Sequence, residues 1–210
     1  MYGISDFETF VIAGILLNIT PGSDTMYILG RIISQGKTAG ILSALGISTG
    51  GLIHCISAVL GLSVILTKSA IAFGIIKYLG VIYLVFLGIK SLTTKPTQDF
   101  EIKEKEQDNN PIKIYISGIF TNIFNPKVAI FFLAFLPQFI DSRATQSPLP
   151  FIILGITFLF TGTIWCLTLA FFAAKLSDKI RRNYKIKNWL DKITGLMFIM
   201  LGIKLAFAKK

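Results

Sequence analysis

The chain has 210 residues, 53% of them hydrophobic and 15% charged, and it carries a formal net charge of +10. This balance is too apolar for an ordinary soluble domain and favours a membrane protein. The lysines and arginines flank apolar runs, as membrane topology requires, and do not line a solvated face, which argues against a nucleic-acid partner.

Hydropathy predicts six transmembrane helices, since a span needs roughly 20 apolar residues. They cover residues 7–29, 40–67, 69–92, 112–140, 149–174 and 189–207. The first run lacks the basic segment and the cleavage site of a signal peptide, so it is predicted to be a retained helix. The fold class is therefore all-α, that of a polytopic protein embedded in the lipid bilayer.

The chain is predicted to divide into two similar halves, residues 1–92 and 112–210, joined at 93–111 by a polar cytoplasmic linker too charged to bury a core. Gly14, Asn18 and Pro21 of the first helix match Gly118, Asn122 and Pro126 of the fourth, and Leu-Gly-Ile-Lys at 87–90 recurs at 201–204. Three helices per half is an odd number, so the second half must cross the bilayer upside down. That is the inverted-repeat architecture of many secondary transporters.

Basic residues predict that both termini are periplasmic. With that orientation the inner loops around 31–37, 90–113 and 175–187 hold thirteen lysines and arginines, whereas the outer side holds six. Lysine and arginine concentrate in cytoplasmic loops, so this orientation is the favoured one.

Two helices are predicted to break near a proline. Pro21, followed by Gly22, falls inside the first span, and Pro126, preceded by Asn125, falls inside the fourth. Proline removes a backbone hydrogen bond and clashes with the carbonyl four residues earlier. The freed N–H groups suit a carboxylate and the freed carbonyls suit a cation, which together describe a zwitterion site. The alternative is a pair of kinks that serve only helix packing.

Asp24 and Lys127 are the charged residues closest to these breaks. A charge at the centre of a bilayer costs about 2.5 to 3.5 kcal/mol on insertion scales, so it is rarely kept without a partner or a task. Both are predicted to belong to one central site, roughly 10 Å apart in depth and bridged by a bound amino acid. The alternative is that each reaches toward an interface.

Three further polar residues are candidates for substrate binding or proton coupling. Asn18 and Asn122 can donate and accept, although such side chains also pin helices together. His54 is the only histidine, and it could relay protons or simply bond a helix carbonyl.

Gly46 and Gly50 have the small-xxx-small spacing of closely packed membrane helices.

No P-loop, metal-ligand cluster, dinucleotide fingerprint or nucleophile elbow is present in the sequence. No cofactor or metal is therefore predicted, and the chain is not expected to be an enzyme. Transport would have to draw its energy from an ion gradient.

The motifs taken together resemble the lysine exporter superfamily, in particular its homoserine/threonine-resistance branch, over nearly the whole chain. The resemblance rests on five segments in order: Pro-Gly-Ser-Asp at 21–24, Gly-Lys-Thr-Ala-Gly at 36–40, Lys-Tyr-Leu-Gly at 77–80, Asn-Ile-Phe-Asn-Pro-Lys at 122–127 and Phe-Leu-Pro-Gln-Phe at 135–139. Ser23 stands where the family usually has a second proline. The resemblance implies a bacterial inner-membrane exporter of amino acids that exchanges them for protons, and it is compatible with a homo-oligomer.

A second function class is a membrane thiol-disulfide electron carrier. Cys55 and Cys166 lie in equivalent helices of the two halves. Such a carrier would need its cysteines beside the prolines of helices one and four, where this chain has Asn18, Ser23, Asn122 and Asn125. The two cysteines are therefore predicted to be core side chains.

Overall fold

The structure, a computed structural model, describes residues 2–62, 70–93 and 110–182, together with 192, 196, 199–200, 202–203 and 206–207. The regular structure in these ranges is helical, apart from one isolated antiparallel bridge between Ile4 and Ile140. The all-α prediction is thus confirmed. Most of the predicted linker and of the predicted sixth span lies outside the described residues.

The main helices are α1 (Phe7–Ile19), α2 (Ser23–Ser57), α3 (Ala70–Thr93), α4 (Pro111–Ile123), α5 (Pro126–Ile130) and α6 (Leu149–Arg182). Two π-helical turns, Ala58–Leu62 and Phe131–Phe135, extend α2 and α5, and 3-10 turns cover Leu136–Phe139 and Ser142–Ala144. Asparagine caps begin both helices of the fourth span. The Asn110 carboxamide accepts from the Ile112 N–H and the Asn125 carboxamide accepts from the Lys127 N–H, each before a proline at the first helical position.

The long helix α2 is a hairpin that reverses at Gly36. This residue has φ 83° and ψ −176°, a left-handed backbone that favours glycine. Ile32 packs directly against Gly40, whereas Cα atoms eight residues apart in a straight helix lie about 12 Å apart. Residues 23–35 therefore complete the first predicted span and residues 37–57 form the second. The sequence predicts a loop at 30–39 between these spans, whereas the structure has a single non-helical residue, Gly36.

Both predicted helix breaks are present. The first span is interrupted between Ile19 and Ser23, and the fourth span between Ile123 and Pro126, where the two parts are bent by 47°. The segments on either side of each break are short, so neither would cross a bilayer alone.

Two stretches of the described helices, one within Ser23–Gly61 on the far side of the turn at Gly36 and the other Leu149–Phe172, are long and apolar enough to cross a membrane. The bent pair Pro111–Ile123 and Pro126–Phe139 adds a third if it is counted as one span. Large apolar side chains are exposed along α1 and along these helices, among them Ile12, Leu60, Phe120 and Phe160. Such a surface suits lipid and is unusual in water.

Residues 37–57 of α2 pack closely on α4 because glycines face each other at the crossing. A Cβ on Gly46 would collide with the Tyr115 carbonyl oxygen, and one on Gly118 would lie 2.8 Å from the Ser43 carbonyl oxygen. Gly50 in the same way faces Asn122. The spacing of Gly46 and Gly50 thus marks a close helix crossing, as the sequence predicts.

An aromatic core lies beside this crossing. Phe131 stacks on Phe158 at 4.2 Å between ring centroids, and Phe10 contacts both Phe131 and Phe139. The core thereby joins α1, the fourth span and α6, and it holds the two broken spans side by side.

Candidate functional site

The first break is built around Pro21. In a continuous helix the Leu17 carbonyl would accept from the N–H four residues later, but residue 21 is proline and has no N–H. The chain turns away through Thr20, Pro21 and Gly22, and α2 begins at Ser23. The carbonyls of Leu17 and Thr20 are therefore left at the C-terminal end of α1, where the helix dipole is negative.

Lys127 binds these carbonyls from the other broken span. Its ammonium Nζ donates to the Leu17 oxygen at 3.1 Å and to the Thr20 oxygen at 3.0 Å. Gly22 leaves room for it, because a Cβ at this position would lie 3.3 Å from Nζ. A cation thus bonds to the freed carbonyls of α1, and it comes from the chain itself.

The second break repeats this arrangement around Pro126. Asn122 stands four residues before Pro126, so its carbonyl has also lost its usual helical partner. It accepts instead from the Asn125 N–H at 2.9 Å, and the His54 Nε2–H donates to it at 3.1 Å. At each break a nitrogen side chain bonds to the carbonyl orphaned by the proline.

Asp24 lies in the first turn of α2, where the positive end of the helix dipole favours a carboxylate. Its Oδ2 accepts a 2.8 Å hydrogen bond from Asn122 Nδ2, and both residues are buried. Lys127 is close enough to attract it electrostatically, although the two do not form a direct ion pair. The acid beside the first break and the base beside the second therefore interact across the junction of the breaks.

Asp24 and Lys127 both line one cavity. Its volume is about 40 Å³, and its polar lining comes from five helical segments. The residues that carry this lining are Asn18, Asp24, Thr25, Ser48, Asn122, Lys127, Thr163 and Trp165. A cavity of this size holds a few water molecules, whereas a site for a small organic ligand needs roughly 300 Å³ or more.

Four buried polar atoms at this junction have no hydrogen-bond partner among the described residues. Two are acceptors, Asp24 Oδ1 and Asn122 Oδ1, and two are donors, Asn125 Nδ2 and Trp165 Nε1. An unmade buried hydrogen bond costs about 1 to 3 kcal/mol, so four together call for a ligand or ordered water. Acceptors and donors in one place match the ammonium and the carboxylate of a zwitterion.

The remaining residues expected at the site take different positions. Asn18 lines the cavity, but its amide donates to Thr161 Oγ1 at 3.1 Å and so also pins α1 to α6. His54 stacks on Phe132 at 5.9 Å between ring centroids and does not line the cavity. Pro21 and Pro126 shape the backbone and are exposed at the breaks.

Trp165 was not singled out by the sequence patterns. Tryptophan in membrane proteins is usually found at the two interfaces, yet Trp165 stands in the middle of the apolar run 149–174. A tryptophan at the centre of an apolar run is the sequence feature that could have identified Trp165 as a candidate site residue. The side chain lines the cavity with its indole N–H unpaired in the described part of the chain.

The cysteines do not form a pair. Both are free and buried. Cys55 packs against Gly155 in the aromatic core, and Cys166 lies in a separate apolar cluster with Ile28, Ile47 and Ala170. A relay between these two thiols has no support in this arrangement.

Comparison with known proteins gives a family and several relatives. The family model described as LysE type translocator matches residues 15–209. The uncharacterized membrane protein YrhP of Bacillus subtilis (strain 168) is 33% identical over 196 residues, which cover 90% of this chain and 92% of that protein. The leucine efflux proteins of Salmonella choleraesuis (strain SC-B67) and Salmonella paratyphi A are each 26% identical over 208 residues, 98% of this chain and 96% of theirs. No solved structure matches the chain.

Proposed function

Since the chain belongs to the LysE type translocator family, we propose that it exports amino acids or related small zwitterions across a bacterial inner membrane in exchange for protons. The single observation that carries this proposal is the junction of the two breaks, where the buried Asp24 and the half-buried Lys127 line one cavity together with the unpaired polar atoms of Asp24, Asn122 and Trp165. The similarity to leucine efflux proteins supports an amino acid as the substrate.

The proposed architecture is two inverted three-helix repeats, 1–92 and 112–210, linked at 93–111 in the cytoplasm. Equivalent contacts in the two halves support it. Gly14 and Asn18 of the first span lie against Phe158 and Gly162 of α6, and in the other half Gly118 and Asn122 lie against Gly46 and Gly50 of α2. A pseudo-two-fold axis that exchanges spans one and four also exchanges spans two and five.

In the proposed binding mode the substrate ammonium bonds to Asp24 Oδ1 and Asn122 Oδ1. The substrate carboxylate accepts from Trp165 Nε1 and Asn125 Nδ2. Lys127 has three ammonium hydrogens and uses two on carbonyls, so its third hydrogen and its charge can also serve the carboxylate. Each buried polar atom would thereby gain a partner of opposite character.

The small volume of the cavity supports a closed conformation that must open to admit a substrate. Residues 23–57, α4 and α6 meet at the cavity and would separate on one membrane side at a time. Protonation of Asp24 from the outer side would weaken its hold on the ammonium and release the substrate there. Return of the empty site with the proton would couple export to proton entry.

The test is export from cells that overproduce the protein. A panel of amino acids and toxic analogues should include at least one to which resistance rises and whose accumulation falls, and a protonophore should abolish both effects. Asp24→Asn at equal membrane levels is the matched control and should export far less than the wild type. A full panel without any change in resistance or accumulation would reject the exporter assignment.

The thiol-disulfide carrier remains a distinguishable second function. Cys55→Ser and Cys166→Ser should leave export unchanged, because Cys55 lies outside the cavity and the Cys166 thiol, although it lines the cavity, makes no contact in the proposed binding mode. Loss of function in both variants, with thiol labelling that changes on reduction, would favour the carrier instead.

A further inference from the structure

The carbonyl pair at the end of α1 has the character of a cation site. Leu17 O has lost its helical partner because residue 21 is proline, and Thr20 O belongs to the unwound segment. Both belong to the C-terminal end of a helix, which carries a partial negative charge of about half an electron. In membrane proteins with broken helices, such carbonyls coordinate monovalent cations.

The side-chain ammonium of Lys127 occupies the position that a free cation would take. Its Nζ lies 3.1 and 3.0 Å from the two oxygens, ordinary hydrogen-bond distances for an ammonium. Lys127 is also in the first turn of α5, where its own helix dipole disfavours a positive charge. Its ammonium is therefore held by the carbonyls of the opposite half and by the attraction of Asp24.

We propose that the carbonyls of Leu17 and Thr20 form a monovalent-cation site, which Lys127 fills as a built-in cation so that export needs no sodium. A free cation must be recruited from solution at every cycle, whereas a tethered ammonium is always present. The independence of export from sodium rests on the proposed function. The cation site itself does not depend on that function, and a separate binding experiment tests it.

The binding test removes the tethered ammonium and offers a free one. Purified Lys127→Met keeps a chain of similar length without the charge, and methylammonium reproduces the three N–H donors of Nζ. At about 100 mM, roughly a hundredfold over a millimolar Kd, methylammonium or sodium should raise the melting temperature of this variant by about 5 °C. Choline chloride at equal concentration should have no effect, because its trimethylated nitrogen has no N–H donor and is too bulky to be coordinated by the two carbonyls as sodium is.

Wild type and Lys113→Met are the matched controls, because Lys113 is an exposed lysine of the same span. Neither should be stabilised, since in both the carbonyl site remains filled. If neither methylammonium nor sodium stabilises Lys127→Met, the proposal is rejected. Equal stabilisation of all three proteins would also reject it.

Lys127→Met can also fail to fold, and Lys127→Gln then provides the second variant. Its amide can bond one carbonyl but carries no charge. If both variants aggregate unless methylammonium or sodium is present throughout purification, the site is supported. If both aggregate regardless, Lys127 is a structural anchor and the proposal is rejected.

The transport test separates this inference from the proposed function. In proteoliposomes wild-type export should be the same in sodium and in choline buffers, whereas residual export by Lys127→Met should rise severalfold with sodium or methylammonium. Sodium-dependent export by the wild type would overturn the inference and leave the exporter assignment standing. Absence of any export by the wild type would instead count against the exporter assignment, while the melting temperatures still report on the site.

Discussion

The Asn122 carboxamide donates a 2.8 Å hydrogen bond to the Asp24 carboxylate, across 98 positions of the sequence. This bond joins the start of the second part of one broken span to the end of the first part of the other. The same Asn122 presents its backbone carbonyl to His54 at 3.1 Å. One residue therefore connects the acid, the histidine and both breaks.

Replacement of Asn122 by alanine should reduce export about 10- to 100-fold at normal membrane levels. The buried Asp24 carboxylate would lose the hydrogen bond from the Asn122 carboxamide, and a lost bond to a charged group costs about 1.5 to 3 kcal/mol. The measurement is the initial rate of substrate efflux from preloaded vesicles. Thr121→Ala is the control, because the Thr121 hydroxyl donates to the Ser117 carbonyl of its own helix and does not line the cavity. An Asn122→Ala protein with wild-type rates would exclude this bond from the transport cycle.

Asp24 and Lys127 should behave as one unit in a double-mutant cycle. Asp24→Asn and Lys127→Gln should each lower export strongly, and the double variant should be no worse than the poorer single variant. The physical reason is that the two charges attract each other and are proposed to bind the two ends of one substrate. Efflux rates are compared at matched protein levels. Strictly additive effects would place at least one of the charges outside the site.

Trp165→Phe should weaken substrate binding more than turnover. The change removes the unpaired indole N–H from the cavity and keeps an aromatic ring, so the proposed hydrogen bond to the substrate carboxylate is lost. A bond of about 1 to 1.5 kcal/mol corresponds to a five- to tenfold rise in KM. Phe160→Leu, at an exposed position of the same helix, should leave KM unchanged. A Trp165→Phe protein with unaltered KM would remove Trp165 from the binding residues.

Gly46→Ala should destabilise the fold by about 1 to 3 kcal/mol, which corresponds to a fall in melting temperature of several degrees. The new methyl group would meet the Tyr115 carbonyl and the Gly118 backbone, neither of which can move like a side chain. Gly30→Ala is the control, because none of the described residues comes within 4 Å of a Cβ there and alanine is the better helix former. If both variants melt like the wild type, α2 and α4 do not cross at these glycines.

Tags at both chain termini should be cut by protease added to intact spheroplasts. Thirteen basic residues on the inner side against six on the outer side predict this orientation. A tag inserted at residue 100 of the linker should stay protected until the membrane is opened. Protection of either terminal tag would reverse the predicted topology of that half.

The positions of the helix breaks were determined by the sequence alone. Pro21 and Pro126 act on their own backbone, since the missing N–H and the clash with the carbonyl four residues earlier need no tertiary partner. The crossing at Gly46 and Gly50 is similarly local, because small residues one turn apart present the same groove in any packing. The turn at Gly36 lay within the motif at 36–40, but only the backbone revealed how sharply the chain reverses there.

The partners across the junction were decided only by the tertiary structure. Lys127 and Asp24 were expected to face one bound molecule, yet nothing in the sequence placed the lysine on the carbonyls of Leu17 and Thr20, about 110 residues away. The sequence likewise did not predict that Trp165 lines the same cavity. Helix breaks depend on neighbours along the chain, whereas these contacts depend on how α1, α2, α4 and α6 cross, and that is set by the packing of the whole core.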